Sequence, residues 1–262
     1  MILRKGLRLL GVVGWILCGL VLATWVAVLQ PLKPAFLDGQ RQRLTCWWLR
    51  NLIRLLPLRL HLHGRPTGRT ALWVSNHVSW LDIAVLGAQA PLHFLSKAEV
   101  RHWPVIGWLA AAAGTCFIQR GQSASQSLQQ QLIEVLKQDR SLLIFAEGTT
   151  TNGEQVRTFH GRLLSSAIEA EVPLQPVAVA YRLHNEVDEV APFINDDEFS
   201  RHLLRLLGAE TIDVHVHFLP LIDSATGNRN QLARQAQSAV SQALGLADGS
   251  KRSGEPAFKR AA

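Results

Sequence analysis

The chain predicts an α/β fold, a mostly parallel sheet flanked by helices, behind an N-terminal membrane-associated helical segment. Three observations carry this. After residue 57 short β-rich runs alternate with helical ones, the pattern of a layered sheet with crossover helices. Before them lies a 21-residue run without a charge, Leu9 to Leu29. Hydrophobic residues fill 48% of the 262 positions and charged ones only 18%, under the usual quarter, so a disordered or fibrous chain is excluded.

The N-terminal run follows Arg4, Lys5 and Arg8. It is longer than the apolar region of a signal peptide and ends without a small-x-small cleavage site, so it predicts a retained anchor. Trp15 and Trp25 are candidate interfacial anchors. Cations lie on both sides of the run, with Lys33, Arg41 and Arg43 after it, so the positive-inside rule gives no orientation. From Arg41 to Arg59, Leu44, Trp47, Trp48, Leu52, Ile53, Leu55 and Leu56 interleave with Arg43, Arg50 and Arg54. That pattern suits a helix lying among lipid headgroups, and equally a core helix with solvated arginines. Pro31 and Pro34 predict a bend between the two segments. Residues 1–56 are therefore read as a membrane anchor that dips into one leaflet or crosses once.

The body is expected over residues 57–246. Strands are predicted at Leu58–His63, Ala71–Ser75, His93–Ser96, Cys116–Ile118, Leu142–Phe145, Gln175–Tyr181 and Ile212–Leu219. Helices are predicted at Trp80–Gln89, Val105–Ala113, Ser123–Gln138, Gly161–Ala170, Glu198–Leu207 and Gln231–Leu244. Residues 247–262 read as a disordered tail.

Charge narrows the partners. Residues 1–69 hold 11 Lys/Arg and a single acid, Asp38, whereas the remaining 193 residues hold 16 Lys/Arg and 19 acids. A nucleic-acid-binding protein would carry its positive charge on the folded body, so nucleic acid is excluded and anionic lipid is favoured. Three cysteines without a C-x-x-C offer neither a disulfide framework nor a zinc ribbon, and a reduced, intracellular protein is expected.

Chemistry concentrates in three places. Ser75-Asn-His-Val-Ser-Trp-Leu-Asp82 follows a strand. His77 is the candidate base, because histidine titrates near neutrality. A helical turn starting at Ser79 would return the Asp82 carboxylate to the imidazole, as in a His–Asp dyad. Ser79-x-x-Asp82 is also a capping box, so a purely structural Asp82 stays open. A second strand ends in Glu147-Gly148-Thr149-Thr150, where ligands sit in α/β folds. A third delivers Arg120. There is no G-x-S-x-G elbow, H-E-x-x-H, P-loop or G-x-G-x-x-G. His61/His63 and His215/His217 share strand faces but lack a further ligand set, so no metal is expected.

Together these residues resemble the glycerolipid acyltransferase family typified by 1-acylglycerol-3-phosphate acyltransferases. The family's N-H-x-x-x-x-D matches Asn76–Asp82, G-x-x-F-I-x-R matches Gly114–Arg120, and F-P-E-G-T appears as Phe145-Ala-Glu147-Gly148-Thr149. V-P-[IV]-x-P-V appears as Val172-Pro-Leu-Gln-Pro-Val177, and Ser96-Lys97-Ala-Glu99 with Pro104 and Gly107 also resembles the family. The resemblance implies His77 and Asp82 as catalytic residues, and Arg120, Glu147, Gly148, Thr149 and Lys97 as substrate-binding ones. It implies an O-acyltransferase that moves a fatty acyl group from an acyl-carrier-protein or coenzyme-A thioester to the hydroxyl of a lysolipid. The thioester is a co-substrate, and no cofactor is implied. An N-terminal helical hairpin on the cytoplasmic face of the inner membrane is implied as well.

Departures from the family pattern bear on the acceptor. Ala146 replaces the motif proline, and Thr150 stands where phosphate-accepting members usually carry arginine. Phe159-His160-Gly161 stands where those members commonly have F-K-x-G. Arg157 and Arg162 are candidate replacements for the missing cations. 1-Acylglycerol-3-phosphate is the first acceptor expected, and lyso-ornithine lipid, a phosphorus-free zwitterion, the second. A lipid-binding protein without turnover is the distant alternative.

Overall fold

A computed structural model describes residues 2–31, 34–118, 126–195 and 197–246. Two long helices come first, α1 (Ile2–Leu29) and α2 (Pro34–Leu55). The body then runs β1 (Leu58–His63), β2 (Leu72–Ser75), α3 (Leu81–Gly87), β3 (His93–Lys97), α4 (Ile106–Ala112) and β4 (Cys116–Ile118). It continues through α5 (Gln126–Lys137), β5 (Leu142–Phe145), α6 (Ser165–Glu169), β6 (Leu174–Leu183) and β7 (Glu186–Val187). Helix α7 (Phe199–Gly208), β8 (Ile212–Phe218) and α8 (Arg229–Leu244) complete it. The sequence-predicted strands and body helices all form, within a few residues at their ends. The first half of the Gly161–Ala170 helix is a 3-10 turn, Gly161–Leu164. The expected tail, 247–262, lies outside the described residues.

The sheet order is β1-β8-β6-β2-β5-β3-β4, with β7 as a short hairpin arm on β6. Strands β6, β2, β5, β3 and β4 are mutually parallel, whereas β8 runs antiparallel to β6 and takes β1 with it. The sheet is thus mixed and mostly parallel. Its central strands read as continuous apolar runs because both faces are covered. Trp73, Leu143, Val177 and Val179 pack on one face beneath α1, α2, α3 and α7. Leu72, Val74, Leu142, Ile144 and Ala178 pack on the other beneath α5, α6 and α8. The alternation of Leu72/Trp73/Val74 between the two layers is the period-2 rule of a strand.

Helices α1 and α2 pack as part of this body. Leu49, Leu52, Ile53 and Leu56 share a core with β2 and α3. Arg50, left by the sequence as either a headgroup-facing or a solvated cation, donates to the Ala88 carbonyl at 3.1 and 3.0 Å, at the C-terminal end of α3. Helices α1 and α2 are tied by a reciprocal pair. The Trp15 indole N–H donates to the Trp48 carbonyl (3.0 Å), and the Trp48 indole N–H donates to that of Trp15 (3.1 Å). Trp15 is therefore an interhelical tie, while Trp25 stays 49% exposed. Gly19 permits the approach, since a Cβ there would lie 2.8 Å from the Trp48 ring. The basic start of α1 docks on the end of α7, where Arg8 donates to the Leu207 and Ala209 carbonyls at 3.1 and 3.0 Å. The opposite face of α1, through Leu3, Leu7, Leu10, Leu17, Val21 and Val28, is exposed apolar surface. The segment Leu3–Leu29 is long and apolar enough to cross a membrane.

Candidate active site

The site forms at the carboxyl ends of β2, β3 and β5, the edge at which ligands bind in open α/β sheets. Asn76 sets its start. Its buried side chain pairs with the backbone of β6, donating to the Val179 carbonyl and accepting from the Val179 N–H, both at 2.9 Å. The amide thus imitates one more strand residue, and the chain leaves the sheet at His77.

His77 and Asp82 meet as the spacing predicts. The imidazole Nδ1 lies 2.8 Å from Asp82 Oδ2. The same oxygen accepts the N–H groups of Val78 (2.8 Å) and Ser79 (3.0 Å). The second of these is one half of a capping box, so the two readings of Asp82 coexist in one carboxylate. The Ser79 hydroxyl has no partner, so the other half is absent. Asp82 is fully buried, and its Oδ1 accepts the Tyr181 hydroxyl at 2.6 Å. Burial, and then the Asp82 carboxylate, hold that phenol well above the usual range, so Tyr181 remains a donor. Four donors converge on a buried carboxylate, which offsets the cost of its burial. Tyr181 escaped the sequence reading. Its only signal is that it is the single tyrosine of the chain, set within an apolar strand.

With Nδ1 turned to Asp82, the imidazole presents Nε2 to the cavity, and its ring lies flat on Phe145 at 3.8 Å between centroids. The β5 loop is bonded to the His77 loop, because the Thr151 N–H donates to the His77 carbonyl at 2.8 Å. Gly148 turns the chain with φ +71°, a conformation a side chain would strain.

Gly148, Thr149 and Lys97 line the cavity with His77. Glu147 is placed differently. It is buried beneath the loop, where Oε1 accepts the Arg157 N–H at 3.3 Å and Oε2 has no partner. Burial pushes its carboxyl up to about 8, so it is protonated at neutral pH. It braces the loop that carries Arg157. Thr150 lines the cavity but donates its hydroxyl to the Phe193 carbonyl at 2.5 Å. Arg120 lies outside the described residues. His61, His63, His215 and His217 form a stacked row on β1 and β8. Among the described residues no three ligating side chains are grouped to hold a metal ion.

The cavity measures about 1520 Å³ and reaches from α1 and α2, past His77, to the first turn of α8. Its α1/α2 end is mostly apolar, lined by Val12, Ile16, Leu22, Leu49 and Leu52 with Arg41 as its one cation, and its other end carries Arg162 and Arg229.

A histidine held by a buried carboxylate thus lies at the sheet edge beside a cavity of about 1520 Å³. The family profile described as "Acyltransferase" matches residues 59–180, and the chain belongs to this acyltransferase family. It is 53% identical over 243 residues to the lyso-ornithine lipid O-acyltransferase of Pseudomonas aeruginosa, covering 93% of each chain. The enzyme of the same name from Brucella abortus is 34% identical, covering 87% of this chain and 94% of that one. The 1-acyl-sn-glycerol-3-phosphate acyltransferase of Neisseria meningitidis is 29% identical over 67% of this chain and 70% of its own. The fold matches the crystal structure of the 1-acyl-sn-glycerophosphate acyltransferase PlsC from Thermotoga maritima. That match has a TM-score of 0.59 at 17% identity, over 87% of this chain and 95% of that one.

Proposed function

We propose that this acyltransferase acylates lyso-ornithine lipid, and that it does so by general-base catalysis from His77. The observation that carries the acceptor is Thr150. Its hydroxyl is spent on Phe193, at the position where phosphate-accepting members usually place an arginine. The identity of 53% to a lyso-ornithine lipid enzyme over nearly the whole chain supports the same reading. The order of acceptors expected from the sequence is thereby reversed, and 1-acylglycerol-3-phosphate becomes the second.

In this mechanism Nε2 of His77 takes the proton of the acceptor hydroxyl as its oxygen attacks the thioester carbonyl. Asp82 holds Nδ1–H, fixing the tautomer and stabilising the imidazolium. The tetrahedral adduct collapses by breaking the carbon–sulfur bond, and the imidazolium returns the proton to the departing thiolate. No acyl-enzyme forms. The donor is the thioester of acyl-carrier protein or of coenzyme A. Lys97, Gly148 and Thr149 contact the substrates, and Glu147 acts through the loop it braces.

The exposed apolar face of α1 is proposed to lie in the inner membrane, with the body on the cytoplasmic face where acyl thioesters are made. The experiment is direct. Purified protein is given labelled acyl-carrier protein or acyl-coenzyme A, with lyso-ornithine lipid and 1-acylglycerol-3-phosphate in parallel, and products are read by mass. Ornithine lipid as the preferred product is expected. Phosphatidic acid as the preferred product would reverse the assignment.

A further inference from the structure

The cavity's charge is one-sided. Residues 70–262 hold 16 Lys/Arg and 19 acids, a net −3. Yet among the described residues lining the cavity every Asp, Glu, Lys or Arg is a cation, namely Arg41, Lys97, Arg157, Arg162 and Arg229. A zwitterionic acceptor headgroup brings one carboxylate and one ammonium, so it does not require this surplus.

Two of these cations stand apart from the reacting centre. Arg162 lies in the 3-10 turn Gly161–Leu164, and Arg229 is the first residue of α8. Gly161 draws the two segments together, since a Cβ there would sit 2.6 Å from the Arg229 carbonyl. Both side chains are exposed, and among the described residues neither makes a side-chain hydrogen bond or an ion pair. The Asn230 and Gln231 N–H groups in the first α8 turn are already taken by the Asn228 side chain. The two guanidinium groups carry the positive charge at this end of the cavity. Arg157, by contrast, lies on the loop braced by Glu147 and lines the same cavity as His77.

Position in the layers decides between the two substrates. The apolar end of the cavity belongs to α1 and α2, on one face of the sheet, whereas α8 and the Gly161 turn cover the other face. Acyl tails, arriving from the membrane, enter beside α1 and α2. The water-soluble carrier of the donor has to remain at the opposite, cationic end. Guanidinium groups recognise phosphate through charge-assisted, bidentate hydrogen bonds.

We propose that Arg162 and Arg229 form a phosphate-binding subsite for the carrier arm of the acyl donor. This rests on the acyl-transfer reading above, and it names phosphate chemistry that acyl-carrier protein and coenzyme A share.

The test uses the full-length protein in mixed micelles, with three donors of the same chain length: acyl-carrier protein, acyl-coenzyme A and acyl-pantetheine, which has no phosphate. In the double variant Arg162→Ala/Arg229→Ala, KM for a phosphate-bearing donor should rise about tenfold or more. KM for acyl-pantetheine and for the acceptor should stay unchanged, and Arg162→Lys/Arg229→Lys should recover much of the loss. A rise for acyl-carrier protein alone, for coenzyme A alone, or for both supports the subsite and identifies its source. Donor KM values that do not move, an equal rise with acyl-pantetheine, or a rise in acceptor KM would each overturn it. Product masses from the same reactions score the acceptor separately, so the two readings fail independently.

Discussion

Tyr181 and His77 grip opposite oxygens of Asp82, at 2.6 Å on Oδ1 and 2.8 Å on Oδ2. The carboxylate therefore cannot rotate, and the imidazole inherits its orientation. Three substitutions separate the roles. His77→Ala should lower kcat by about 10²- to 10⁴-fold with the fold intact, because the lost group acts in the transition state. Asp82→Asn should lower kcat severely as well, through the wrong tautomer. Tyr181→Phe leaves a buried oxygen unsatisfied and should cost about 1–3 kcal/mol of stability. It should also reduce kcat with little change in KM. Steady-state kinetics beside denaturant unfolding checks all three, and normal kcat in Asp82→Asn would leave the carboxylate with its capping role alone.

Glu147 predicts a stability trend with pH. Burial pushes its carboxyl up to about 8 in the folded protein, from 4.5 for a solvated glutamate. The folded state therefore binds the proton more tightly than the unfolded one. The resulting stability is fully present below pH 4.5 and is lost as pH rises through about 8, by at most about 1.4 kcal/mol per pH unit. Glu147→Gln keeps the neutral shape and should flatten that part of the curve. Unfolding midpoints between pH 5 and pH 9 check it. A wild-type curve as flat as the variant's would mean that Glu147 is ionised at neutral pH.

Much of this site was legible because its parts are local. Asn76, His77 and Asp82 lie within seven positions, and the helical turn between them is set by the same residues that carry the chemistry. The strands were legible because β-branched and leucine runs such as Leu142–Phe145 end in glycine or polar residues. Partners that meet only through the fold were not. Tyr181 reaches Asp82 across 99 residues, and the antiparallel entry of β8 depends on pairing that no local pattern encodes. The role of Arg50 was hidden for the same reason, since its acceptor is the end of α3, 38 residues on. Composition alone could not separate a helix that packs on the body from one that lies on lipid.

The contact between Arg8 and α7 predicts the membrane topology. The guanidinium caps carbonyls at the C-terminal end of a helix, where a cation is favoured by about 1 kcal/mol. The start of α1 is thus fastened to the body, and its end returns to the body through α2. An N-terminal tag should therefore lie on the same side of the membrane as the body. Protease added to intact spheroplasts should spare both, and after lysis it should cut both. A tag cut from outside while the body is spared would place a full crossing in α1. Arg8→Ala should lower stability by about 1 kcal/mol without changing the dyad.

The acceptor can be tested at Thr150, where the family resemblance implies an arginine in phosphate-accepting members. Thr150 lines the cavity, and its hydroxyl is bound to the Phe193 carbonyl rather than offered to a ligand. In Thr150→Arg that bond is lost and a guanidinium enters a partly buried site. With lyso-ornithine lipid the new cation meets the acceptor's own ammonium, and kcat/KM should fall by about tenfold. With 1-acylglycerol-3-phosphate it faces a phosphate monoester carrying about −1.5 to −2 charges, a favourable charge-assisted pairing, and kcat/KM should rise. The measurement compares both acceptors, wild type against variant, with the acyl donor saturating. Thr150→Val serves as the control, because it removes the bond to Phe193 without adding charge. Its effect should be similar for the two acceptors, since neither headgroup gains or loses an ionic partner. Equal changes for both acceptors in Thr150→Arg would show that position 150 does not face the headgroup, and the choice between acceptors would then fall to Arg157.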